Sequence, residues 1–340
     1  SAQMLGCIII DEQDKPIRPA ILWNDGRSSL ESQYLENNFT KELFPSGCRP
    51  NPGLLLPKLL WIKNNEPNNF KKIKKILLPK DYLKLFLTGS FSTDPSDASG
   101  TMLFDLIRKN WNQNLIDELE IDRDWLPEVH PSDKDIGKLR QTLLNKWNFN
   151  KKIKIINGAG DNAAAALGSG VFKDGEMLIT LGTSGVMIMA MDDFNPMIQH
   201  NYLTHAHALK NKFILESVVL GVTNIIDWYC SVFKTTIDEF SELTQHENYS
   251  MIKKYPILMP YLSGIRTPHE HPNIEGSIFG LNLNTNKKNI AWAIIEGISF
   301  IFKECQDILI NNNYSFPKEI VLIGGGAKNI QWAKILSSLL

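Results

Sequence analysis

Three glycine-rich turns, each at the end of an apolar strand-like run, constrain this chain more than any other feature. The turns lie at residues 158–160, 182–185 and 324–326, after the apolar runs 153–156, 177–181 and 320–323. Because glycine has no Cβ, such turns let backbone N–H groups converge on an anion. Strands that end in glycine turns and alternate with helices predict an α/β protein whose ligands bind at the strand ends.

The first turn matches the G-x-G-x-x-A pattern of dinucleotide-binding folds, with Ala163 in the last position. Asp161 argues against that interpretation, because its carboxylate would lie where a pyrophosphate binds and would repel it. No acidic residue stands about twenty positions further on to hold a ribose. A carboxylate at a helix N-terminus is kept ionised by the helix dipole, so Asp161 suits a general base. An N-cap role is the alternative, and the local sequence favours neither.

The other two turns suit a nucleotide. The Gly-Thr-Ser-Gly turn at residues 182–185 separates two apolar runs that predict a hairpin, and its hydroxyls and amides suit a phosphate chain. A simple hairpin turn is the alternative. The Gly-Gly-Gly-Ala run at residues 324–327 lies between a predicted strand and helix, where a flat or phosphorylated ligand can approach closely. The G-x-x-x-x-G-K-[ST] pattern does not occur, so a P-loop is excluded.

Three further groups of residues are ambiguous from sequence alone. The Trp-Asn-Asp run at residues 23–25 suits contacts with a sugar, but the same sequence is expected where a Trp of the core precedes a surface turn. Asp94 and Asp97 suit either paired carboxylates or turn and cap residues. His205 and His207 alternate as in a strand without a carboxylate pair nearby, so we expect structural histidines rather than metal ligands.

Composition and length exclude several classes of protein. The formal net charge is -1, from 36 Lys and Arg against 37 Asp and Glu, which predicts binding to neither nucleic acid nor a membrane surface. Four scattered cysteines indicate a reducing compartment, and the sequence shows no signal peptide or spanning run, so we expect a cytoplasmic protein. A length of 340 residues predicts two domains, which we place at residues 1–170 and 171–340.

Taken together, the motifs resemble the FGGY family of carbohydrate kinases. The signature of the family's second domain resembles the run Tyr-Leu-Ser-Gly-Ile-Arg-Thr-Pro at residues 261–268 together with Gly276 and Gly280. The signature of its first domain resembles residues 57–63. Three motifs resemble the forms of the xylulokinase branch of this family. They are Trp-Asn-Asp-Gly-Arg at residues 23–27, Gly-Asp-Asn at residues 160–162 and Leu-Gly-Thr-Ser-Gly at residues 181–185. The resemblance covers essentially the whole chain. It implies a two-domain actin-like ATPase (ribonuclease H-like) fold with a cleft, an N-terminal sugar-binding domain and a C-terminal ATP-binding domain.

The resemblance also implies a role for each motif, in an ATP-dependent sugar kinase with D-xylulose as the expected substrate and Mg²⁺ as a cofactor. Asp161 is the expected catalytic base. The expected sugar-binding residues are Met4, Leu5, Trp23, Asn24, Asp25 and Asn162. The expected ATP-binding residues are Gly182, Thr183, Ser184, Gly324, Gly325, Gly326, Ala327 and Asn329. No metal ligand is expected within the chain, because the family's Asp-x-Gly-Thr turn, whose Asp helps to order the metal, would precede Ser1. A homodimer is left open.

Two departures from the family pattern matter. Leu5 stands where similar xylulokinases usually carry His, and a site that loses a polar partner changes the hydroxyl pattern it prefers. The family's first phosphate turn and its C-terminal end are absent, so the chain is expected to be an excerpt of the enzyme. Two alternatives follow: a kinase for ribulose, gluconate or another polyol, and a non-catalytic actin-like sugar or nucleotide sensor. The intact Asp161 argues against the sensor, since a pure binder needs no base.

Overall fold

The computed structural model describes residues 1–245, 256–271 and 273–340. The chain divides into two compact units. Unit 1 comprises Ser1–Asp174, Ala190–Gln199 and Leu203–Leu215, and unit 2 comprises Gly175–Met189, His200–Tyr202 and Glu216–Leu340. The predicted domains, residues 1–170 and 171–340, remain a prediction about the organisation of the chain. The described residues contain no helix that is long and apolar enough to cross a membrane.

Short strands and helices alternate throughout the described residues. The strands are β1 (Ile8–Ile10), β2 (Lys75–Leu77), β3 (Ser92–Thr93), β4 (Phe104–Asp105), β5 (Asn110–Trp111), β6 (Glu128–Val129), β7 (Asp135–Lys138), β8 (Lys154–Ile156), β9 (Met177–Leu181), β10 (Gly185–Met191), β11 (Leu203–Ala206), β12 (Phe213–Val219), β13 (Ile257–Met259), β14 (Ser277–Phe279) and β15 (Ile320–Ile323). The helices are α1 (Ser29–Leu43), α2 (Leu55–Asn65), α3 (Pro67–Phe70), α4 (Pro79–Thr88), α5 (Pro95–Ser99), α6 (Gln113–Glu118), α7 (Gln141–Lys146), α8 (Asp161–Gly168), α9 (Thr223–Phe233), α10 (Ile237–Leu243), α11 (Lys287–Asn311) and α12 (Ile330–Leu339).

One sheet has five strands, in the order β11-β12-β10-β9-β15. Within it β9 and β10 pair antiparallel, with Gly185 opposite Leu181, and β15 runs parallel to β9. The predicted hairpin is therefore confirmed. The run at residues 320–323 forms the expected parallel strand, but the expectation that it is buried is wrong, because it lies at the edge of the sheet and its residues are exposed or half-buried. Smaller two-stranded sheets pair β1 with β2, β3 with β6 and β7 with β8. Almost every residue of β9 and β10 is buried, which explains why these strands read as continuous apolar runs.

Helix α11 forms the centre of the unit 2 core. It begins at a capping box in which the Asn286 side chain accepts hydrogen bonds from the backbone of residues 288 and 289. One face of the helix is buried along its length, and Trp292 is fully inaccessible. Helix α12 packs against it through Trp332, whose Nε1 donates to the Ser299 Oγ at 3.0 Å. This packing fixes the start of α12, where the third glycine turn ends.

Two further local predictions from the sequence were wrong, and a third missed several short strands. Residues 153–156 were expected to form a buried strand, yet Ile156 of β8 is 59% exposed, because β8 pairs only with β7 among the described residues. The Ala-Ile-Leu-Trp run at residues 20–23 predicts a strand from its apolar sequence, but only Ile21 makes a bridge, to Cys7. The apolar spacing of residues 27–150 predicts a mainly helical segment, and this segment contains α1 to α7 together with the short strands β2 to β7. Short strands of two or three residues carry too little alternation to be recognised.

Candidate active site

Asp161 is the first residue of α8, directly after the glycine turn that follows β8. Gly160 occupies the N-cap position, so the alternative of an N-cap aspartate is wrong. The Asp161 backbone N–H donates to the carbonyl oxygen of Ala2 at 3.1 Å, and its Oδ1 accepts from the Asn162 N–H at 3.0 Å. An exposed carboxylate at the positive end of a helix is favourably ionised. The arrangement suits a group that accepts a proton.

Met4 and Leu5 pack against two glycines near this carboxylate. A Cβ on Gly160 would lie 2.5 Å from the Met4 Cγ, and a Cβ on Gly100 would lie 2.5 Å from the Leu5 Cδ2. Both side chains are buried, at 5% and 7% exposure. The structure therefore places Met4 directly against the turn that carries Asp161, and Leu5 against the end of α5. Their contact with a sugar stays a prediction.

The backbone at Leu5 is unusual and is held by a buried lysine. Leu5 has a φ of 69°, in the left-handed region that side-chain-bearing residues rarely adopt. The Lys58 Nζ donates to the carbonyl oxygens of Leu5 at 2.9 Å and Gly53 at 2.7 Å, and Lys58 is fully buried. The sequence resemblance pointed to residues 57–63 as a signature without revealing this contact. Lys58 fixes the backbone of the segment predicted to meet the sugar.

The Trp-Asn-Asp run at residues 23–25 is tied to α2. Asp25 forms a two-point ion pair with Arg27, at 2.9 Å to Nε and 2.8 Å to Nη2. The Arg27 guanidinium in turn lies 4.9 Å from the centre of the Trp61 ring. The hydrogen bond from Arg27 lowers the pKa of Asp25, so the carboxyl is ionised well into the acid range. The roles of Trp23, Asn24, Asp25 and Asn162 at the sugar remain predictions.

Five charged side chains form a buried ion-pair cluster in unit 1, made of Lys80, Asp81, Lys84, Asp94 and Asp97. The Lys80 Nζ lies 3.0 Å from Asp81, 2.9 Å from Asp94 and 3.2 Å from Asp97, and the Lys84 Nζ lies 3.0 Å from Asp81. None of the five side chains is more than 5% exposed. The cluster answers the ambiguity about Asp94 and Asp97. Asp94 caps α5 by accepting from the Ser96 N–H at 3.0 Å, and Asp97 belongs to the cluster.

Burial and neighbouring charge set the protonation of this cluster. Burial raises the pKa of Asp97 to about 8; Lys80 opposes this shift, while Asp81 and Asp94 add to it. Burial alone would lower the pKa of Lys80, but the three carboxylates raise it. Burial lowers the pKa of Lys84. The raised pKa of Asp97 favours its protonated form near neutral pH, which reduces the negative charge buried in the cluster.

The two predicted ATP turns of unit 2 lie next to each other. Strand β15 is parallel to β9, with Ile323 opposite Thr180, so the turns that follow both strands leave the sheet at the same edge. A Cβ on Gly324 would lie 2.6 Å from the Leu181 carbonyl oxygen, and one on Gly326 would lie 2.8 Å from the Leu181 Cβ. On Gly325, by contrast, a Cβ would meet no described heavy atom within 4 Å. At Gly325, the middle residue of the third turn, the side of the backbone where a Cβ would stand is therefore open.

Backbone bonds anchor both turns within unit 2. The Gly182 N–H donates to the Ser184 carbonyl at 3.1 Å, and the Thr223 N–H at the start of α9 donates to the Gly182 carbonyl at 3.0 Å. The Asn329 side chain caps α12 by accepting from the Trp332 N–H at 3.0 Å. The Asn329 Nδ2 also donates to the Thr244 Oγ1 at 2.8 Å. These bonds give Asn329 a structural role, whereas its contact with ATP stays a prediction, as for the other predicted ATP-binding residues.

The two histidines of β11 and its end are buried in unit 1 with structural contacts. The His207 Nδ1 accepts from the Leu209 N–H at 2.9 Å, and its Nε2 lies 3.0 Å from the Val171 carbonyl oxygen. Burial lowers the pKa of His207, which favours the neutral ring. The His205 Nε2 lies 3.7 Å from the Cys48 Sγ. Throughout residues 1–245, 256–271 and 273–340, no three His, Cys, Asp or Glu side chains are grouped to hold a metal ion.

A cavity of about 690 Å³ in unit 1 also borders the turn before α8. Gly158, Ala159 and Ala164 lie in its wall together with Pro95 and Ser132. Asp161, Met4 and Leu5 do not line it. The cavity therefore does not coincide with the residues predicted to meet the sugar, and we do not assign the sugar to it.

Comparison with known proteins agrees with this arrangement of motifs. Residues 1–168 match the N-terminal domain, and residues 177–340 the C-terminal domain, of the FGGY family of carbohydrate kinases. A xylulose kinase from Staphylococcus xylosus is 35% identical over 342 residues, which cover 100% of this chain and 70% of that protein. A xylulose kinase from Escherichia coli strain K12 is 33% identical over 340 residues, 100% of this chain and 69% of that protein.

Solved structures show the same similarity. A "xyloylose kinase" from Brucella ovis superposes with a TM-score of 0.91 at 31% identity, over 99% of this chain and 69% of that chain. A gluconate kinase from Lactobacillus acidophilus superposes with a TM-score of 0.88 at 27% identity, over the same shares of the two chains. The predicted actin-like α/β fold class is therefore confirmed. The chain belongs to the FGGY family of carbohydrate kinases.

Proposed function

We propose that this protein transfers the γ-phosphoryl group of ATP to a hydroxyl of D-xylulose, which gives D-xylulose 5-phosphate and ADP. The observation that carries the proposal is the exposed carboxylate of Asp161 at the start of α8, in a chain that matches xylulose kinases along its full length. A second support is the pair of glycine turns that leave one sheet edge in unit 2.

Asp161 acts as the general base in this proposal. Its carboxylate accepts the proton of the sugar O5 hydroxyl while O5 attacks the γ-phosphorus. The bond from O5 to phosphorus forms, the bond from phosphorus to the β–γ bridging oxygen breaks, and ADP carries away the electron pair. Positioning and charge neutralisation supply most of the acceleration in phosphoryl transfer. General-base assistance adds roughly 10²–10⁴-fold. Met4 and the backbone of Leu5, which Lys58 fixes, contribute to the sugar-binding surface beside Asp161.

ATP binds at the two turns of unit 2. The turn of Gly182, Thr183 and Ser184 binds the phosphates, and the third turn, from Gly324 to Ala327, binds the adenosine end. The start of α12 adds the positive end of a helix dipole there. Mg²⁺ supplies charge neutralisation on the phosphates when bound. A cation of this type takes most of its ligands from phosphate and water, and few from protein side chains. The cytoplasmic location and the homodimer stay predictions.

Asp161→Asn in the full protein tests the base assignment. We expect turnover of xylulose to fall by about 10²-fold or more, because the amide cannot accept the proton, while ATP binding is retained. Steady-state kinetics and calorimetric titration with ATP measure the two effects. Asp238→Asn is the matched control, because it removes one exposed carboxylate from the first turn of α10. If Asp161→Asn turns over sugar at the rate of that control, Asp161 is not the base.

A kinase for another sugar or polyol is the second candidate. Two observations favour it: Leu5 replaces the polar residue expected at the sugar, and the gluconate kinase superposes almost as well as the xylulose kinases. A panel of xylulose, ribulose and gluconate, compared by kcat/KM, separates the candidates. ATP binding without product from any of these sugars would instead favour the non-catalytic sensor.

A further inference from the structure

Hydrogen bonds connect the ion-pair cluster to the amide that precedes Asp161. The Asp94 Oδ2 accepts from the Ser96 Oγ at 2.5 Å and from the Ser132 Oγ at 2.9 Å. The Ser96 Oγ in turn accepts from the backbone N–H of Gly160 at 2.9 Å. Asp94 and Ser96 are both fully buried. A single side chain, Ser96, therefore links a buried carboxylate to the peptide unit next to the proposed base.

A second connection reaches the other end of the same turn. The Lys84 Nζ donates to the Asn157 Oδ1, and the Lys80 Nζ lies 3.4 Å from the Asn157 carbonyl oxygen. The Asn157 Nδ2 donates to the carbonyl oxygens of Thr93 and His130, each at 2.8 Å. Asn157 is fully buried. Both ends of the segment 157–160 are thus fixed by side chains that touch the cluster.

Stability alone gives a weak reason for such a cluster. Buried ion pairs often contribute less than well-packed apolar residues, because removing charges from water is costly. The Oδ1 of Asp97 is buried without a hydrogen-bond partner in the part of the chain that the structure describes, which adds to that cost. A general base, by contrast, must be held within a fraction of an ångström of its productive place. The convergence of the cluster on the segment 157–160 meets that requirement.

We propose that Asp94 and Ser96 are positioning residues for the phosphoryl-transfer reaction, which hold the Gly160 amide and thereby the direction of the Asp161 carboxylate. The proposal rests on the proposed function of Asp161 as the base. Neither residue touches the substrate. Ser96 fixes the peptide before α8 by accepting the Gly160 N–H, and Asp94 fixes the Ser96 hydroxyl so that its lone pair faces that N–H.

Ser96→Ala in the full protein tests the proposal, with Ser99→Ala as the matched control. Both serines lie in α5, both are fully buried, and the Ser99 Oγ also donates and accepts, bonding the Ser96 carbonyl and the Ala206 N–H. Of these two serines, Ser96 bonds the segment 157–160, whereas the bonds of Ser99 go elsewhere in the described residues. We expect kcat to fall about 10- to 100-fold in Ser96→Ala with the KM for ATP unchanged. Ser99→Ala should keep kcat within about threefold of wild type.

The acid limb of the kcat/KM profile gives a readout that a purely structural role would not move. The acid limb reports the ionisation of the free enzyme's base. Displacement of Asp161 in Ser96→Ala should therefore shift the pH at which this limb falls. In Ser99→Ala, where Asp161 keeps its place, the limb should not move. If Ser96→Ala does not fold, Asp94→Asn is measured in the same way. It keeps the side-chain volume but replaces one acceptor oxygen by a donor.

Parallel measurement of Asp161→Asn separates the two proposals. If Asp161→Asn retains turnover, the base assignment fails, and the positioning role fails with it. A second outcome overturns only the positioning role. In that outcome Asp161→Asn is inactive, but Ser96→Ala has the same kcat and the same acid limb as Ser99→Ala. Asp94→Asn takes the place of Ser96→Ala in this comparison if Ser96→Ala does not fold. A selective loss of kcat together with a shifted acid limb supports both.

Discussion

The turn before Asp161 in unit 1 and the glycine turn at residues 324–326 in unit 2 are held in place by different forces. Side-chain hydrogen bonds from a buried ion-pair cluster fix the first, through Ser96 and Asn157. Direct contact between glycine backbone and Leu181 fixes the second. A turn that must orient a side chain, as the first orients Asp161, is held by hydrogen bonds, which have a fixed direction. A turn that must offer its own backbone to a ligand gains more from the close approach that glycine permits.

The comparison predicts different sensitivities. The turn in unit 1 should respond to changes of charge and pH, because the side chains that bond it belong to or touch a buried cluster of charges. The turn in unit 2 should respond to added volume, because its support is steric. Substitutions that change one property at a time distinguish these two responses.

The largest effect on stability is expected for Gly324→Ala. Gly324 has a φ of 94°, and an added Cβ would lie 2.6 Å from the Leu181 carbonyl oxygen, a backbone atom that cannot rotate away. Left-handed strain and overpacking together should cost about 2–5 kcal/mol of unfolding free energy. Urea denaturation measures the loss as a lower midpoint. A midpoint equal to that of wild type would show that the third turn is not held by close packing.

A smaller effect, which depends on pH, is expected for Asp97→Asn. The folded pKa of Asp97 is about 8, above the unfolded value of about 3.9. The folded protein therefore binds this proton more tightly, and the stability it provides is lost as pH rises toward 8. Relative to Asp97→Asn, wild type should lose roughly 2–3 kcal/mol of unfolding free energy between pH 5 and pH 7.

Denaturation midpoints of the two proteins at both pH values test this prediction. The variant is the appropriate comparison because it keeps the volume of Asp97 while removing its titration. A difference between the two proteins that does not change from pH 5 to pH 7 would mean that Asp97 is already ionised at pH 5 in the folded state.

Local sequence patterns predicted the unit 2 side of this comparison well. Continuous apolar runs predicted β9, β10 and β15, and glycines mark the turns beside them. The signal is clearest for β9 and β10, which are buried almost throughout. The start of α8 was also predicted, since a glycine turn before an alanine-rich run is a local signal.

The support for the unit 1 turn could not be predicted in the same way. Lysine is seldom buried, so Lys58, Lys80 and Lys84 read as surface residues. The cluster also joins α4 and α5, which are neighbours along the chain, to Asn157, which lies 73 residues after Lys84. The Pro-Lys-Asp run at residues 79–81 resembles the corresponding run of the family, and that resemblance is the one sign of importance in its sequence. The contacts themselves are tertiary and leave no local periodicity.

The smallest change in stability is expected for Gly325→Ala, which sharpens the comparison within one turn. Gly325 has φ -62° and ψ -40°, which alanine adopts readily, and an added Cβ would meet no described atom within 4 Å. Since alanine restricts the unfolded chain, the unfolding free energy should stay the same or rise by about 0.4–1 kcal/mol.

The open face of Gly325 is also where the adenosine end of ATP is proposed to lie, so the added methyl group should raise the KM for ATP while leaving the KM for sugar unchanged. Stability and kinetics thus separate for this variant, whereas Gly324→Ala should damage both. If Gly325→Ala leaves the KM for ATP at its wild-type value, the methyl group does not reach the nucleotide, and the third turn would serve the packing of α12 rather than ATP.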